Sequence, residues 1–488
     1  MITQLSRHCP HAVPIFFIFI LVWLGANPVL SATLTADEKL PHFTLHRSDS
    51  GEGPTLLVIG GIQGDEPGGF SAASLLVTHY QINKGNVWVV PNLNFPSIVH
   101  SSRGLHGDMN RKFATLSRQD PEYQTIQHIQ ELIQTPQVDL VINMHDGSGF
   151  YRPRRESAMR NPDRWGQCIV IDQEVIDLDV LDPNIIDPNI PEQDTLQNLR
   201  FKNLHNLAEK VAAKVNTQVL QELHGYRIKN THTKNYDREM EKSLSYFAVT
   251  KGKAAFGIEA SKEISPGLRA FYHICLLEAF MQEMGIDFTR KFHLSVQGIL
   301  TALNKDVTIR LFDNRTVLTL DNARLATLGY IPVLNSTDLK TVPSNPLLAV
   351  LPGKKQWRVI YGNRTLTAFT PVYVDFDDAL QGVDLIVDGQ PMKAYFGDIV
   401  QVTKAFMVKS QSGYRVNAIG AQQEKDGSES GVLLARKHFA TRFSMDKAGY
   451  VYRIEVYKDQ AFCGMVLVNF GPESQPVLSN IPMTAVQK

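Results

Sequence analysis

A small set of polar side chains, spread from residue 63 to residue 259, has the types and the order that a hydrolytic site needs. Gln63 and Glu66 stand three apart in the Gly-rich turn IGGIQGDEPGG (59–69), the spacing at which a His and a Glu often hold one metal ion. His145 closes the apolar run VDLVINMHD (138–146). Catalytic zinc commonly takes three protein ligands and leaves a fourth position for water. Gln63, Glu66 and His145 supply two oxygens and one nitrogen for that role. Glu259, in AAFGIEASK, is then free to act as the base that deprotonates the metal-activated water. In GDMNRKF (107–113), Asn110 and Arg111 form a pair suited to a terminal carboxylate, because a planar guanidinium matches two oxygens at once. Arg103, eight residues before Arg111, is left to stabilise a developing oxyanion. Each fragment alone is common in ordinary turns and strand ends; their order and the elements beside them give the set its weight.

Those elements read as an α/β catalytic domain, a mixed sheet flanked by helices, over 33–288. TLLVIG (55–60), NVWVVPN (86–92) and VDLVINMHD are strand-like, and PGGFSAASLLVTHY (67–80) opens with a Pro suited to a first helical turn. Ile126, Ile129, Leu132 and Ile133 fall on one helical face, as do Leu196, Leu199, Leu207 and Val211. PGLRAFYHICLLEAFMQEM (266–284) is apolar nearly all round and predicts a buried helix. Strands separated by helices argue for a largely parallel sheet. Beyond about 290, short Val-, Ile-, Thr- and Tyr-rich runs replace helical periodicity. They predict all-β C-terminal domains, one over 289–375 and a sandwich-like one over 376–488.

The chain's 488 residues exceed one ordinary core. Lys plus Arg equals Asp plus Glu at 49 each, so nothing in the overall charge points to nucleic acid. Arg7 and His8 precede the apolar run VPIFFIFILVWLGA, and a small-residue exit follows near Ser31. Residues 1–32 read as a cleaved export signal, with no stable membrane insertion afterwards and a periplasmic destination. Cys168, Cys275 and Cys463 are too few and too widely spaced for a disulfide framework. The acidic stretch 172–194 reads as a solvated excursion.

Residues 50 to 285 resemble the zinc carboxypeptidases of the carboxypeptidase A type. The typical pattern is His-x-x-Glu, PNxNPDG, an Arg before DxNRxF, a strand-end His and a catalytic Glu. Here the second element is VVPNLNFPS (89–97), lacking Asp-Gly, and the third is RGLHGDMNRKF (103–113). The resemblance implies Zn2+ on Gln63, Glu66 and His145, Glu259 as base, Asn110 and Arg111 as carboxylate clamp, and Arg103 as oxyanion arginine. It also points to Tyr236, 23 residues before Glu259, for a mobile substrate-binding tyrosine. Lys262, three residues past Glu259, is placed either for an acidic group of the substrate or for a structural salt bridge.

Gln63 departs from the typical histidine. With the export signal and the β domains, it makes the chain similar to the cell-shape-determining D,L-carboxypeptidases of curved and helical bacteria. The expected activity is trimming of peptidoglycan tripeptides to dipeptides with release of meso-diaminopimelate, the muropeptide being the partner. Arg152, Arg154, Arg155, Arg160 and Arg164, just after His145, suit either a multiply charged peptide or a plain solvated loop. Two other readings stay open: an amidohydrolase of the aspartoacylase and succinylglutamate desuccinylase type, and a non-catalytic peptide-binding relative that has lost zinc.

Overall fold

The computed structural model describes residues 43–472 apart from 187, 190, 324–327, 336–337 and 423–426. The expected export signal therefore lies outside the described residues, among which no helix is long and apolar enough to cross a membrane. The central sheet contains β1 (His46–Asp49), β2 (Thr55–Ile59), β3 (Asn86–Val90), β4 (Leu140–Gly147), β5 (Cys168–Ile171), β6 (Arg227–Asn230) and β7 (Ala254–Ser261). Their spatial order is β1-β3-β2-β4-β7-β5-β6. β3, β2, β4 and β7 are parallel neighbours, whereas β1 runs against β3 and β5 against β7, with β6 parallel to β5. Every residue of β2, β4 and β7 is buried, which is why these strands read as continuous apolar runs rather than alternating ones.

Helices α1 (Pro67–His79), α2 (Tyr123–Gln134), α3 (Leu204–Asn216), α4 (Leu244–Thr250), α5 (Pro266–Met284) and α6 (Val296–Asn304) complete the α/β layer. α2 buries the four residues that its periodicity nominates. The stripe from Leu196 to Val211 is split: one helix ends at Gln197, α3 starts at Leu204, and Asn203 caps the new start by accepting from Asn206 N. α5 packs against α1, α3, α6 and β7, so it has almost no solvent face. Ser265 caps its start and Gly285, at φ 80°, ends it in the left-handed conformation that glycine adopts without penalty. α6 adds Ile299, Ala302 and Leu303 to the same core. Cys168, Cys275 and Cys463 are free and buried. The acidic stretch is anchored, with Asp172, Ile176, Val180 and Leu181 buried.

After α6 the described chain is all β apart from short helical turns. One four-stranded sheet has the order Leu328–Val333, Arg364–Tyr373, Trp357–Tyr361, Leu348–Leu351; another has Ile399–Gln401, Ala461–Asn469, Val451–Lys458, Arg415–Ala418. The strand Ala461–Asn469 serves two cores: Phe462, Met465 and Leu467 pack with residues of the 307–369 region, and Cys463, Val466 and Val468 pack with residues of the 383–456 region. Alternate side chains of a strand point to opposite faces, a register shift opposite Val456 and Tyr457 puts Phe462 on the same side as Met465, and burying both faces explains the unbroken run AFCGMVLV. Phe70, Phe95 and Ile98 of the α/β layer join the first of these β cores.

Candidate active site

β2, β4 and β7 are adjacent and parallel, so their carboxyl ends share one edge of the sheet, the place where sites form in open α/β folds. Gln63 and Glu66 lie in the turn leaving β2, His145 near the end of β4, and Glu259 near the end of β7. His145 and Glu259 are register partners, and paired residues on neighbouring strands project from the same face. Asn143 and Gly257 share that face two residues earlier; Met144 and Asp146 point the other way, toward α1. There a Cβ on Gly69 would stand 2.9 Å from Met144 Cβ, and one on Gly68 would stand 2.4 Å from Asp146 Oδ1. The two glycines let α1 press onto β4, with Gly68 N donating to Asp146 Oδ2 at 2.9 Å. That contact seats Glu66, just before α1, beside His145.

His145 Nδ1 stands 3.0 Å from Glu66 Oε2 and 3.2 Å from Gln63 Oε1. In a tetrahedral zinc shell with bonds of about 2.0–2.1 Å, neighbouring ligand atoms are about 3.3 Å apart, so both contacts of His145 Nδ1 have the spacing of donors to a shared ion. All three side chains are buried. Among the described residues no cluster of three His, Cys, Asp or Glu side chains can hold a metal; this set reaches three donors only by counting the Gln63 amide. Asp108 settles which way that amide faces. Gln63 Nε2 donates to Asp108 Oδ1 at 2.7 Å, and because a carboxylate only accepts, the amide oxygen must turn toward His145. Asp108 also accepts from Arg103 Nε at 3.0 Å and caps the turn Met109–Arg111 by accepting from Asn110 N at 3.0 Å.

Burial alone would raise the Asp108 pKa, but the Gln63 amide, Arg103 and Arg111 outweigh it and hold the carboxyl below its ordinary value. It is therefore a firm acceptor at neutral pH. Asp108→Ala frees the Gln63 amide to rotate and is expected to weaken zinc binding by about 10–100-fold, the usual cost of losing a partner that orients a ligand. Competition against a chromophoric chelator measures this, and an unchanged affinity would show that Asp108 orients nothing.

Gln63, Glu66, Arg103, Asn110, Arg111, His145, Glu259 and Lys262 all line one cavity of 260 Å3. Glu259 is 8% exposed and its Oε2 accepts no hydrogen bond. Burial first, then the charges of Glu66 and Asp146, push its pKa to about 8, against the opposing pull of His145 and Arg103. Asn110 Oδ1 accepts from Leu244 N at 3.0 Å, which leaves its Nδ2 beside His145. Arg111 donates to the Asn110 carbonyl at 2.9 Å. Arg103 is about half exposed, 3.6 Å from Glu66 Oε1, and Lys262 pairs with Asp65 at 2.9 Å and Glu66 at 3.4 Å.

Tyr236 is not brought to this cavity. The chain there is fastened by Thr233, which donates to Asp172 Oδ1 at 2.5 Å, and the short helix Thr233–Tyr236 ends with the Tyr236 ring 82% exposed, near only the His232 ring among the described aromatic groups. The arginines after His145 also stay outside. Arg152 is buried on the carbonyls of Leu223 and Gly225, Arg155 pairs with Asp163, and Arg160 with Glu156. Trp165, Met240 and Ser245 line the cavity instead. Trp165 closes the arginine segment and was within reach of a careful reading; nothing local marks Met240 or Ser245.

Beneath Ser245, Asp172 is buried, and burial, helped by the charge of Asp237, raises its pKa to about 6 against the hydrogen bonds of Thr233 and Ser245. The folded chain thus keeps a proton that the unfolded chain releases. The resulting stability is complete below about pH 4 and is lost as the pH climbs through 6, a total of about 3 kcal/mol. Asp172→Asn keeps the acceptor and removes the charge. It is expected to raise stability at pH 7.5 and leave it nearly unchanged at pH 4; urea unfolding at both values checks this, and equal effects would contradict it.

The family described as the catalytic domain of carboxypeptidases controlling helical cell shape matches residues 15–187 and 179–304, and a C-terminal domain of metallo-carboxypeptidases matches 376–471. Product-bound and tripeptide-bound structures of the cell shape determinant Csd4 from Helicobacter pylori are 35% identical to this chain. Each covers 88% of it and is itself covered completely, with a TM-score of 0.77. A third, the mDAP-bound form of that D,L-carboxypeptidase, covers 87% with the same identity and TM-score. No curated protein matches the chain. The chain belongs to the family of carboxypeptidases that control helical cell shape.

Proposed function

We propose that this chain is an exported, periplasmic, zinc-dependent D,L-carboxypeptidase that trims peptidoglycan tripeptides to dipeptides by releasing meso-diaminopimelate, and so influences cell shape. The observation that carries the reading is that Gln63 Oε1 and Glu66 Oε2 both lie within 3.2 Å of His145 Nδ1, with Glu259 in register beside His145. The family membership and the tripeptide- and mDAP-bound relatives support the substrate. Gln63, Glu66 and His145 would hold the ion. Zinc, when bound, supplies Lewis acidity that polarises a carbonyl and lowers the pKa of water.

The remaining steps belong to the chain's own side chains. Arg111 and Asn110 bind the terminal carboxylate and set the scissile amide over Glu259. Glu259 takes a proton from water as the water oxygen bonds to the carbonyl carbon; the same carboxyl then passes the proton to the leaving nitrogen as the C–N bond breaks. Arg103 faces the negative charge that builds on the carbonyl oxygen. The products are a carboxylate and the free amine of diaminopimelate. Mass spectrometry of sacculus digests before and after treatment tests the reading: tripeptide muropeptides should fall as dipeptides and diaminopimelate rise. Turnover of acylated amino acids in preference to muropeptides would reverse it in favour of the amidohydrolase reading, and zinc content below about a tenth of an equivalent, not restored by addition, would favour a binder.

A further inference from the structure

In the β region two aromatic rings that bury little stand over a buried ion pair. The strand Val451–Lys458 places Arg453 and Glu455, 6% and 3% exposed, on the same face, with Nη1 and Oε1 3.1 Å apart. Arg453 also donates to the carbonyls of Tyr330 at 2.9 Å and Gly329 at 3.2 Å, and Tyr457 OH donates to Glu455 Oε2 at 2.8 Å. Oε1 of Glu455 accepts no hydrogen bond. With Arg442 and Phe443 these residues line a cavity of 310 Å3, near the lower limit of about 300 Å3 for small-molecule sites. The arrangement is costly. Buried ion pairs seldom offset their desolvation, and Tyr330 sits at φ +35°, which a bulky side chain leaves unless it is held there. Here the Arg453 guanidinium holds it by its carbonyl. Yet the Tyr330 ring is 71% exposed and Phe443 43%, so neither cost returns as packing.

We propose that this cavity binds the glycan strand of the cell-wall polymer, Tyr330 and Phe443 stacking on a sugar ring while Arg442 donates to its hydroxyl groups. The choice of polymer rests on the carboxypeptidase reading above; the cavity itself does not. A pyranose offers a C–H face to aromatic rings and hydroxyls at its edge. Those hydroxyls accept from Arg442, whose guanidinium lies 4.9 Å from the centre of the Phe443 ring. The peptide stem is the poorer occupant, because it offers no flat C–H face to the two exposed rings. Holding the glycan would raise the local concentration of stem peptides at the catalytic cavity without touching the chemistry.

The test titrates the full chain with a peptide-free tetramer of N-acetylglucosamine by calorimetry, then compares hydrolysis of soluble tripeptide with hydrolysis of intact sacculi. Wild type and Tyr330→Phe should bind the tetramer, whereas Tyr330→Ala and Phe443→Ala should not. Both alanine variants should keep kcat/KM on soluble tripeptide and lose about fivefold or more on sacculi. Absence of saccharide binding by wild type up to about 10 mM, binding that survives both alanine variants, or binding of peptide stem alone would overturn the proposal. If wild type fails to hydrolyse tripeptide, the catalytic reading falls while the saccharide titration still reports on the cavity.

Discussion

On the proposed function, Glu259→Ala is expected to lower kcat for release of diaminopimelate by about a thousandfold, the range for loss of a general base, and to leave zinc content as in wild type. The separation of the two readouts follows from the geometry. The donors that converge on one point are Gln63 Oε1, Glu66 Oε2 and His145 Nδ1, and Glu259 stands beside them with an oxygen that nothing in the described structure satisfies. A buried polar atom without a partner is costly, and its retention in the cavity is explained by a proton that arrives with substrate. Burial and the charges of Glu66 and Asp146 push this carboxyl to about 8 against the pull of His145 and Arg103. A nearby cation favours the ionised form, which links the base's readiness to occupancy of the ligand set. Glu259→Gln, of the same shape, should lose as much activity as alanine, since the proton acceptor and not the volume is at issue. Retained activity in either variant, or zinc lost in step with activity, would remove Glu259 from the role of base.

Gln63→Ala is expected to weaken zinc by more than about 100-fold, beyond the cost of removing an orienting neighbour, and Gln63→His to tighten it. Both expectations come from Asp108. Its carboxylate fixes the amide so that the oxygen points inward, and an imidazole in the same place can give Asp108 an N–H while offering a stronger nitrogen donor to the ion. On the proposed reading the amide would be a weak ligand held in a strong ligand's geometry. Dialysis to fixed free zinc followed by elemental analysis measures both variants. Full occupancy in Gln63→Ala would place the amide outside the ligand set and leave Glu66 and His145 as the candidate protein donors.

Much of this arrangement was legible in advance. The strand runs TLLVI and NVWVV and the stripe of α2 were readable because burial leaves a period, and the residues that line the cavity together were readable because they sit in short motifs beside those runs. Tyr236 misled because its identification relied on distance along the chain, and distance does not say where a short helix ends; the Thr233–Asp172 bond does. The arginines after His145 were ambiguous for a similar reason. A guanidinium binds a carbonyl or a carboxylate equally well, and Arg152 found carbonyls within its own chain.

What the amino-acid order determined by itself was the kind of elements and the kind of chemical groups available, since periodicity, turn residues and side-chain identity are local properties. Only the tertiary structure decided which groups meet. The pairing of His145 with Glu259 depends on β4 and β7 being neighbours in register. The inward face of the Gln63 amide depends on Asp108 reaching it from a separate turn, and the sharing of one strand by two β cores depends on both its faces being covered. Each is a contact between segments far apart in the chain, set by sheet order and packing, and no local pattern carries that information.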